Sequence, residues 1–588
     1  MRRTTLTLGL TGALMLSACF GAPQSEEDAK EMTALLSATG DVGTGGTGTG
    51  DAGTRDEGEA EGEAGAPSEK DAARFLGHAT FGYSEADIRA VRGRGYAGWI
   101  AAQAAMPARS TIARLEGLGH VHHATHTDLF WEYAIENDDQ LRQRMAFALG
   151  EIVVVSVDDA TFTKHSRAFA TYTDLLQRHA LGNYEDFIRA VAMSPAMGLY
   201  LSHIENERAD PERGSAADEN FARELLQLFT IGLEELTPGG APTGRPTYGA
   251  ADVAGLAKVF TGFNWRGGDF RHVKPTDETY FAPMQAYPDY HDRTDKTFLG
   301  LTIPGDTAPE DAVDQALSHI LAHGNVAPFV SRQLIQRLVT SNPSEPYVAR
   351  VAAAYEAGRF EADGRRFGDG RRGDMLAVAA AIMLDAEART RTDDPAFGRV
   401  RPPLQRFAQF ARTFRDARGA PRGGLPTSTG TFRYDTTYDQ RALGAPSVFG
   451  YTRPGYRAPG SWTDQAGLVA PQLSMASGAG MVGYINQINQ VIRARPGEGG
   501  REAFFVPEFG PLMLLADDPD ALTAKLDLLL TAGTMDASTK DRIVQAIETI
   551  ALEDGANDEE VLGTDARRER VEIAVLMAVT AAEYSVQM

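Results

Sequence analysis

The sequence predicts an all-α fold, a large multi-helix bundle with a division into two lobes, long ordered loops and little or no β-sheet. Three observations carry that expectation. Apolar residues recur at the 3.6-residue helical period in stretch after stretch of the chain. Period-two runs bounded by turn residues are scarce. The sole cysteine is Cys19, so no disulfide, thiolate zinc site, iron–sulfur cluster or Cys-x-x-Cys-His haem attachment is available and packing alone must hold the body together.

Residues 1–18 come first. Arg2 and Arg3 precede an apolar run from about Leu6 to Leu16, and Leu16-Ser17-Ala18-Cys19 follows. Positive charge, a short apolar segment and small residues form the layout of a secretory signal, and Leu-Ser-Ala-Cys resembles a bacterial lipoprotein cleavage box. The expectation is a signal peptide over 1–18 and lipidation of Cys19. The run falls short of the about 20 residues that span a bilayer. The membrane is therefore expected to hold the protein through acyl chains, at about 0.8 kcal/mol per buried CH₂. Phe20 stands where an Asp would retain such a lipoprotein at the inner membrane, so the resemblance implies the outer membrane of a Gram-negative cell envelope.

Residues 19–70 read as an acidic, Gly/Thr-rich disordered tether, with Gly-Thr-Gly-Gly-Thr-Gly-Thr-Gly at 43–50. Such a composition buries too little apolar surface to offset the entropy of ordering. Residues 25–71 hold 13 acidic and 3 basic side chains, within a net charge of −23 for the chain. Nucleic-acid binding needs clustered positive charge, so no nucleic-acid partner is expected.

The body from 71 onward is long enough for two or three domains of about 150 residues, and the reading divides it into helical lobes at 71–390 and 391–588. In 138–156, Leu141, Met145, Ala148, Leu149 and Ile152 form one apolar stripe, with Asp138 as its N-cap. The β-branched run 152–157 continues that pattern. Comparable stripes are read near 124–136, 169–181, 184–194, 218–231, 250–262, 311–323, 326–340, 372–385, 402–415, 520–531, 536–551 and 566–584. Gly182, Gly232 and Gly324 suit the left-handed position just past a helix end. The stretches 238–248, 267–309 and 419–474 are rich in Tyr, Phe and Trp, which favours ordered, functional loops.

Several polar constellations could carry chemistry. The first runs through Tyr200-Leu201-Ser202-His203 with Asn206 and Asp210, then Asp218-Glu219-Asn220 and Arg223-Glu224, with His291-Asp292 and Lys296. On a helix, Asn220, Arg223, Glu224 and Gln227 would share a face. Oxygen ligands with one or two imidazoles suit a divalent metal ion, with His203, Asp218, Glu219 and His291 as ligands. Glu224, His203 and Asp292 are then the candidate catalytic groups acting on metal-bound water, and Asn206, Asn220, Arg223 and Lys296 the candidate substrate-binding groups. The structural alternative stays open: Ser215 or Asp218 caps the helix, Glu219 pairs with Arg223, and Asn220 bonds a loop backbone.

Other candidates are weaker. His122 and His126, and again His319 and His323, stand at i,i+4, a spacing found in helical zinc motifs, but no third ligand accompanies either pair. Arg142, Arg144, Arg178 and His179 form a basic group that serves either an anion or carboxylate pairing inside the bundle. Serine-hydrolase, nucleotide-hydrolase and dinucleotide motifs are absent from the sequence.

Ala73-Arg74-Phe75-Leu76-Gly77-His78-Ala79-Thr80-Phe81-Gly82 resembles the opening of the family called domain of unknown function 1800 (DUF1800). The resemblance continues through Asp139-Gln140-Leu141-Arg142-Gln143-Arg144-Met145-Ala146-Phe147-Ala148-Leu149 and Leu176-Gln177-Arg178-His179-Ala180-Leu181-Gly182-Asn183. It extends over Ser194-Pro195-Ala196-Met197-Gly198-Leu199-Tyr200-Leu201-Ser202-His203 and Asp218-Glu219-Asn220-Phe221-Ala222-Arg223-Glu224-Leu225-Leu226-Gln227-Leu228-Phe229. Later landmarks are Val259-Phe260-Thr261-Gly262, His291-Asp292, Pro446-Ser447-Val448-Phe449 and Ala470-Pro471.

The resemblance implies an envelope or exported protein, with a phosphatase- or sulfatase-like exported protein of the DUF1501 kind as partner. Two functional expectations follow. One is a non-catalytic envelope scaffold or binding protein, presenting aromatic loops near 270–290 and 434–462 to a partner. The other is a metal-assisted envelope hydrolase using the 203–224 and 291–296 groups.

Overall fold

A computed structural model describes residues 66–118, 121–390, 394–415, 440–495, 505–552 and 565–588. The expected signal peptide, the lipidation site Cys19 and the tether up to residue 65 lie outside the described residues.

The body is dominated by helices, and each expected helical stretch holds one. These include Gln140–Gly150, Ser166–His179, Tyr184–Ala192, Pro309–Leu321, Val326–Leu338, Met375–Leu384 and Pro403–Thr413. Side-chain caps explain several starts. Ser68 Oγ accepts from the Asp71 amide at 3.1 Å and opens Glu69–Ala79. Ser84 and Asp87 form a reciprocal capping box for Glu85–Ala104. Met375–Leu384 is apolar nearly all round and buried on almost every side, as a central helix must be.

Four local expectations are corrected. The N-cap of the Gln140–Gly150 helix is Asp139 rather than Asp138. The helix stops at Gly150, and residues 152–157 run on as buried, non-helical chain, because three consecutive valines are stiff at χ1 and crowd a helical turn. Of the three helix-ending glycines only Gly232 is left-handed, at φ +72°; Ala180 and Ala322 close their helices in the right-handed region instead. The helix from Asn220 widens after Glu224 into a π-helical turn, Leu225–Thr230.

β-structure is confined, among the described residues, to two-stranded antiparallel pairs. Glu234–Leu236 pairs with Pro242–Pro246, Phe263–Asn264 with Gln285–Ala286, Lys296–Phe298 with Leu301–Ile303, and Phe360–Ala362 with Arg365–Phe367. The last pair joins distant chain: Arg399–Val400 with Val586–Gln587.

Buried apolar residues gather into a large cluster drawn from residues 72–397 with Leu529, and a second drawn from 404–584 with Phe81, Trp131, Ala134 and Ile135. Buried arginines tie the two regions through main-chain carbonyls. Arg412 donates to Gly82, Ile135 and Asn137 at 2.9, 2.6 and 3.2 Å. Gly82 has no room for a side chain there, since a Cβ would sit 2.6 Å from Gln409 Cα.

Candidate functional site

The segment that follows the Pro195–Tyr200 helix turns through two left-handed residues, Ser202 at φ 56° and Glu205 at φ 63°. Between them, His203 is buried. Its ring stacks on Phe221 with centroids 4.0 Å apart, and Nε2 donates to the Ala192 carbonyl at 2.9 Å. Burial pushes its pKa down to about 4, so it is neutral at pH 7.

Asn206 clamps residue 218 by backbone alone. Its Oδ1 accepts from the Asp218 amide at 2.9 Å and its Nδ2 donates to the Asp218 carbonyl at 3.3 Å. The Asp218 carboxylate accepts from the Asn220 amide at 2.7 Å, and Glu219 pairs with Arg223 at 2.7 Å on the surface. Asn220 and Arg223 are exposed whereas Glu224 is buried, so the expected polar row is not one face. Burial raises the Glu224 carboxyl above its ordinary value, partly offset by Arg223.

The 291–296 group is organised around Thr261. His291 Nδ1 donates to the Thr261 carbonyl at 2.9 Å, and the Asp292 amide donates to Thr261 Oγ1 at 2.9 Å. The Asp292 carboxylate accepts from Thr294, from its amide at 2.8 Å and its hydroxyl at 2.5 Å. Lys296, fully buried, donates to the Asp292 and Thr294 carbonyls at 2.8 and 3.3 Å, and burial lowers its pKa. Gly262, at φ +75°, makes this possible: a Cβ would lie 2.7 Å from the His291 nitrogen.

Residues 205–206 and 291–296 therefore meet as neighbouring backbone, through Gly262 N to Asn206 O at 2.7 Å and Glu205 N to Phe263 O at 2.9 Å. Asn206, Asp292 and Lys296 spend their side chains on local backbone and Thr294, while His291 Nε2 is buried without a partner. Among the described residues no group of three or more His, Cys, Asp or Glu side chains is placed to hold a metal ion. The expected ligand set His203, Asp218, Glu219 and His291 is accordingly not assembled: each histidine bonds a carbonyl through one ring nitrogen and keeps the other buried without a partner, apart from the two acids, which serve the start of one helix.

The weaker candidates separate in the same way. His126 Nε2 bonds Ser166, and His122 is exposed. His319 Nε2 donates to the Leu299 carbonyl at 3.0 Å, while His323 Nδ1 accepts from the Asn325 amide at 3.1 Å. Arg142 faces Asp139 at 3.7 Å and donates to the Gln177 and Met106 carbonyls.

A cleft of about 80 Å³ lies where the Gln140–Gly150 and Ser166–His179 helices meet the 440–451 segment. Phe130, Tyr133, Phe147 and Tyr172 give it aromatic walls. Its polar groups are few: Gln143 and Gln177 exchange amide hydrogen bonds at 2.8 Å, and Glu151 stands half-buried at the wall. Its lining, mainly apolar with a few placed polar groups, is that of a small-molecule site, and its volume, well below the about 300–1,000 Å³ of drug-sized ligand pockets, restricts it to a small ligand.

Behind Glu151 lie buried cations. Arg337 Nη2 donates to the Glu151 carbonyl at 3.0 Å, and Arg144 Nη2 donates to the Arg337 carbonyl at 3.2 Å. Burial pushes the Glu151 carboxyl above its ordinary value, while Arg337, Arg399 and Arg144 pull it back. Burial also lowers Arg144 to about 10, with Glu151 opposing. The field of Glu151 reaches all three guanidiniums, and each has an Nε without a partner in the described structure.

Glu151 was not among the residues singled out from sequence. A signal for it exists: Gln140, Arg144, Phe147 and Glu151 fall at i, i+4, i+7 and i+11, a second stripe beside the apolar one.

No match to the chain is found among curated proteins or among solved structures. A family model described as "Protein of unknown function (DUF1800)" matches residues 74–586, which takes in the cleft, the buried arginines and the 200–296 groups. The chain belongs to the DUF1800 family.

Proposed function

We propose that the protein is a lipid-anchored envelope binding protein, held to the outer membrane by acylated Cys19, whose body takes a small organic ligand in the cleft beside Glu151. The observation that carries this reading is the cleft itself, with aromatic walls, an amide pair and one carboxyl at its side. In the same reading the body divides near residue 390, in keeping with the two apolar clusters. An exported partner of the phosphatase- or sulfatase-like kind docks on the exposed aromatics of the later segment, Phe449 and Trp462.

The hydrolase reading has less behind it. Its catalytic candidates His203, Glu224 and Asp292 do not line the cleft, and among the described residues its metal ligands do not gather into a group that could hold an ion.

Calorimetric titration with phenol, a small neutral aromatic that suits the size of the cavity, tests the cleft. The soluble body is expected to bind one equivalent saturably and to lose that binding in Ala445→Trp, which fills the cleft at its half-exposed wall. Equal binding by wild type and Ala445→Trp would remove the cleft as the site.

A further inference from the structure

The lining of the cleft selects among small ligands by the surface it offers them. At about 10–15 Å³ for each water-sized occupant, its volume of about 80 Å³ admits a molecule of about five to eight non-hydrogen atoms. Phe130, Phe147, Tyr172 and Tyr451 line it. Phe130 and Phe147 stand side by side, with ring centroids 5.7 Å apart and planes inclined by 47°, and both keep part of their surface uncovered although each also packs on Phe81. The tyrosine hydroxyls are spent on main-chain carbonyls, Tyr172 on Val153 and Tyr451 on Gly444. What these residues bring to the cleft is therefore ring surface, and an aromatic ring is negative over its face.

The charged side chains in the wall have the same bias. Glu151 is the carboxylate of the lining, and the guanidinium of the lining, Arg441, is paired with Asp158. Next to the wall residue Thr111, Asp174 accepts from neutral donors, the Ser110 hydroxyl and the Thr111 and Ile112 amides, which leave its charge uncancelled. Asp139 faces Arg142 at 3.7 Å. Arg144 and Arg337 stand behind Glu151 and outside the lining, bonded to main-chain carbonyls. Burial raises the Glu151 carboxyl, and these guanidiniums with Arg399 draw it back toward the ionised form.

We infer that the cleft takes a small, fully alkylated ammonium cation, its head against the rings of Phe130, Phe147 and Tyr451 with Glu151 beside it. This rests on the cleft being the ligand site. Ring faces attract a cation, most strongly where water is excluded, and the alkyl groups of such a head bury apolar surface as well. A primary ammonium would instead need an acceptor for each of three N–H groups, and Gln143 and Gln177 already spend amide groups on each other at 2.8 Å. An anion would meet the Glu151 carboxylate and the negative ring faces.

Calorimetric titration of the purified full-length protein at pH 7 with choline, with neohexyl alcohol, its uncharged carbon isostere, and with the carboxylate tert-butylacetate tests the inference. Choline is expected to bind one-to-one and about tenfold or more tighter than either of the others. Glu151→Gln and Phe147→Leu are each expected to weaken choline about threefold or more and to narrow its advantage over neohexyl alcohol. Neohexyl alcohol or tert-butylacetate binding as tightly as choline, or an undiminished advantage for choline in both variants, would overturn the cation inference while leaving the cleft as a ligand site. So would failure of all three to bind a protein whose phenol binding is abolished in Ala445→Trp. Phenol binding unaltered in Ala445→Trp would remove the cleft and the inference with it.

Discussion

Arg337 holds Glu151 by its main chain: Nη2 donates to the Glu151 carbonyl at 3.0 Å while Nη1 donates to the Gln333 carbonyl of its own helix at 3.0 Å. One buried side chain thus fixes both the end of the Gln140–Gly150 helix and the residue that forms the cleft wall. Orphaning the buried Glu151 carbonyl costs about 1–3 kcal/mol, and truncation adds a cavity.

Arg337→Ala is expected to destabilise the body by about 3 kcal/mol or more, read as a lowered midpoint in urea unfolding. It also removes the cation that does most to hold the Glu151 carboxyl down, so the carboxyl should titrate higher still. A midpoint within experimental error of wild type would show that the guanidinium is dispensable.

Gly262 and Gly267 both have positive φ, +75° and +90°, but only Gly262 faces packed backbone. A left-handed alanine costs about 1–2 kcal/mol. Gly267→Ala should cost about that much, whereas Gly262→Ala must also push His291 aside and should cost clearly more. Equal unfolding midpoints for the two variants would contradict the close approach.

His203 gives the stability a pH slope. Its folded pKa of about 4 lies below its ordinary 6.5, so the unfolded chain binds the extra proton first and acid favours unfolding. The contribution is fully present above pH 6.5 and is lost as pH falls toward 4, amounting to about 2 kcal/mol between pH 7 and pH 5. His203→Gln should flatten that part of the profile in urea titrations. An identical slope in the variant would assign the effect to other groups.

Cys19→Ser tests the anchor. Wild-type protein expressed in a Gram-negative host should sediment with membranes and take up radiolabelled palmitate, and the variant should do neither. Palmitate incorporation by Cys19→Ser would sink the lipoprotein reading.

Much of the fold was legible because amphipathic stripes such as Leu141, Met145 and Leu149 impose one period on the chain. The helices over Glu345–Ala357 and Gly478–Ile492 escaped that reading, since alanine-rich and glycine-containing stretches blur the contrast between faces. The hairpin at Phe360–Phe367 escaped too, although Asp363-Gly364, both at positive φ, is a strong turn signal. The candidate site was legible only in part. His203, Asn206, Thr261 and His291 stand out in the sequence, yet their work is to bind backbone, and sequence cannot distinguish a polar side chain that meets a ligand from one that meets a carbonyl. Glu151 was hidden for the opposite reason, at the close of an apolar stripe.

The pairing of Val586–Gln587 with Arg399–Val400, and of Gln587 with His78, 509 positions earlier, gives the chain a vectorial order of completion. The segment around His78 waits, with its buried histidine unclasped, until residues 586–587 have been synthesised. Nascent chains stalled before Val586 should therefore remain open to protease at Glu69–Ala79.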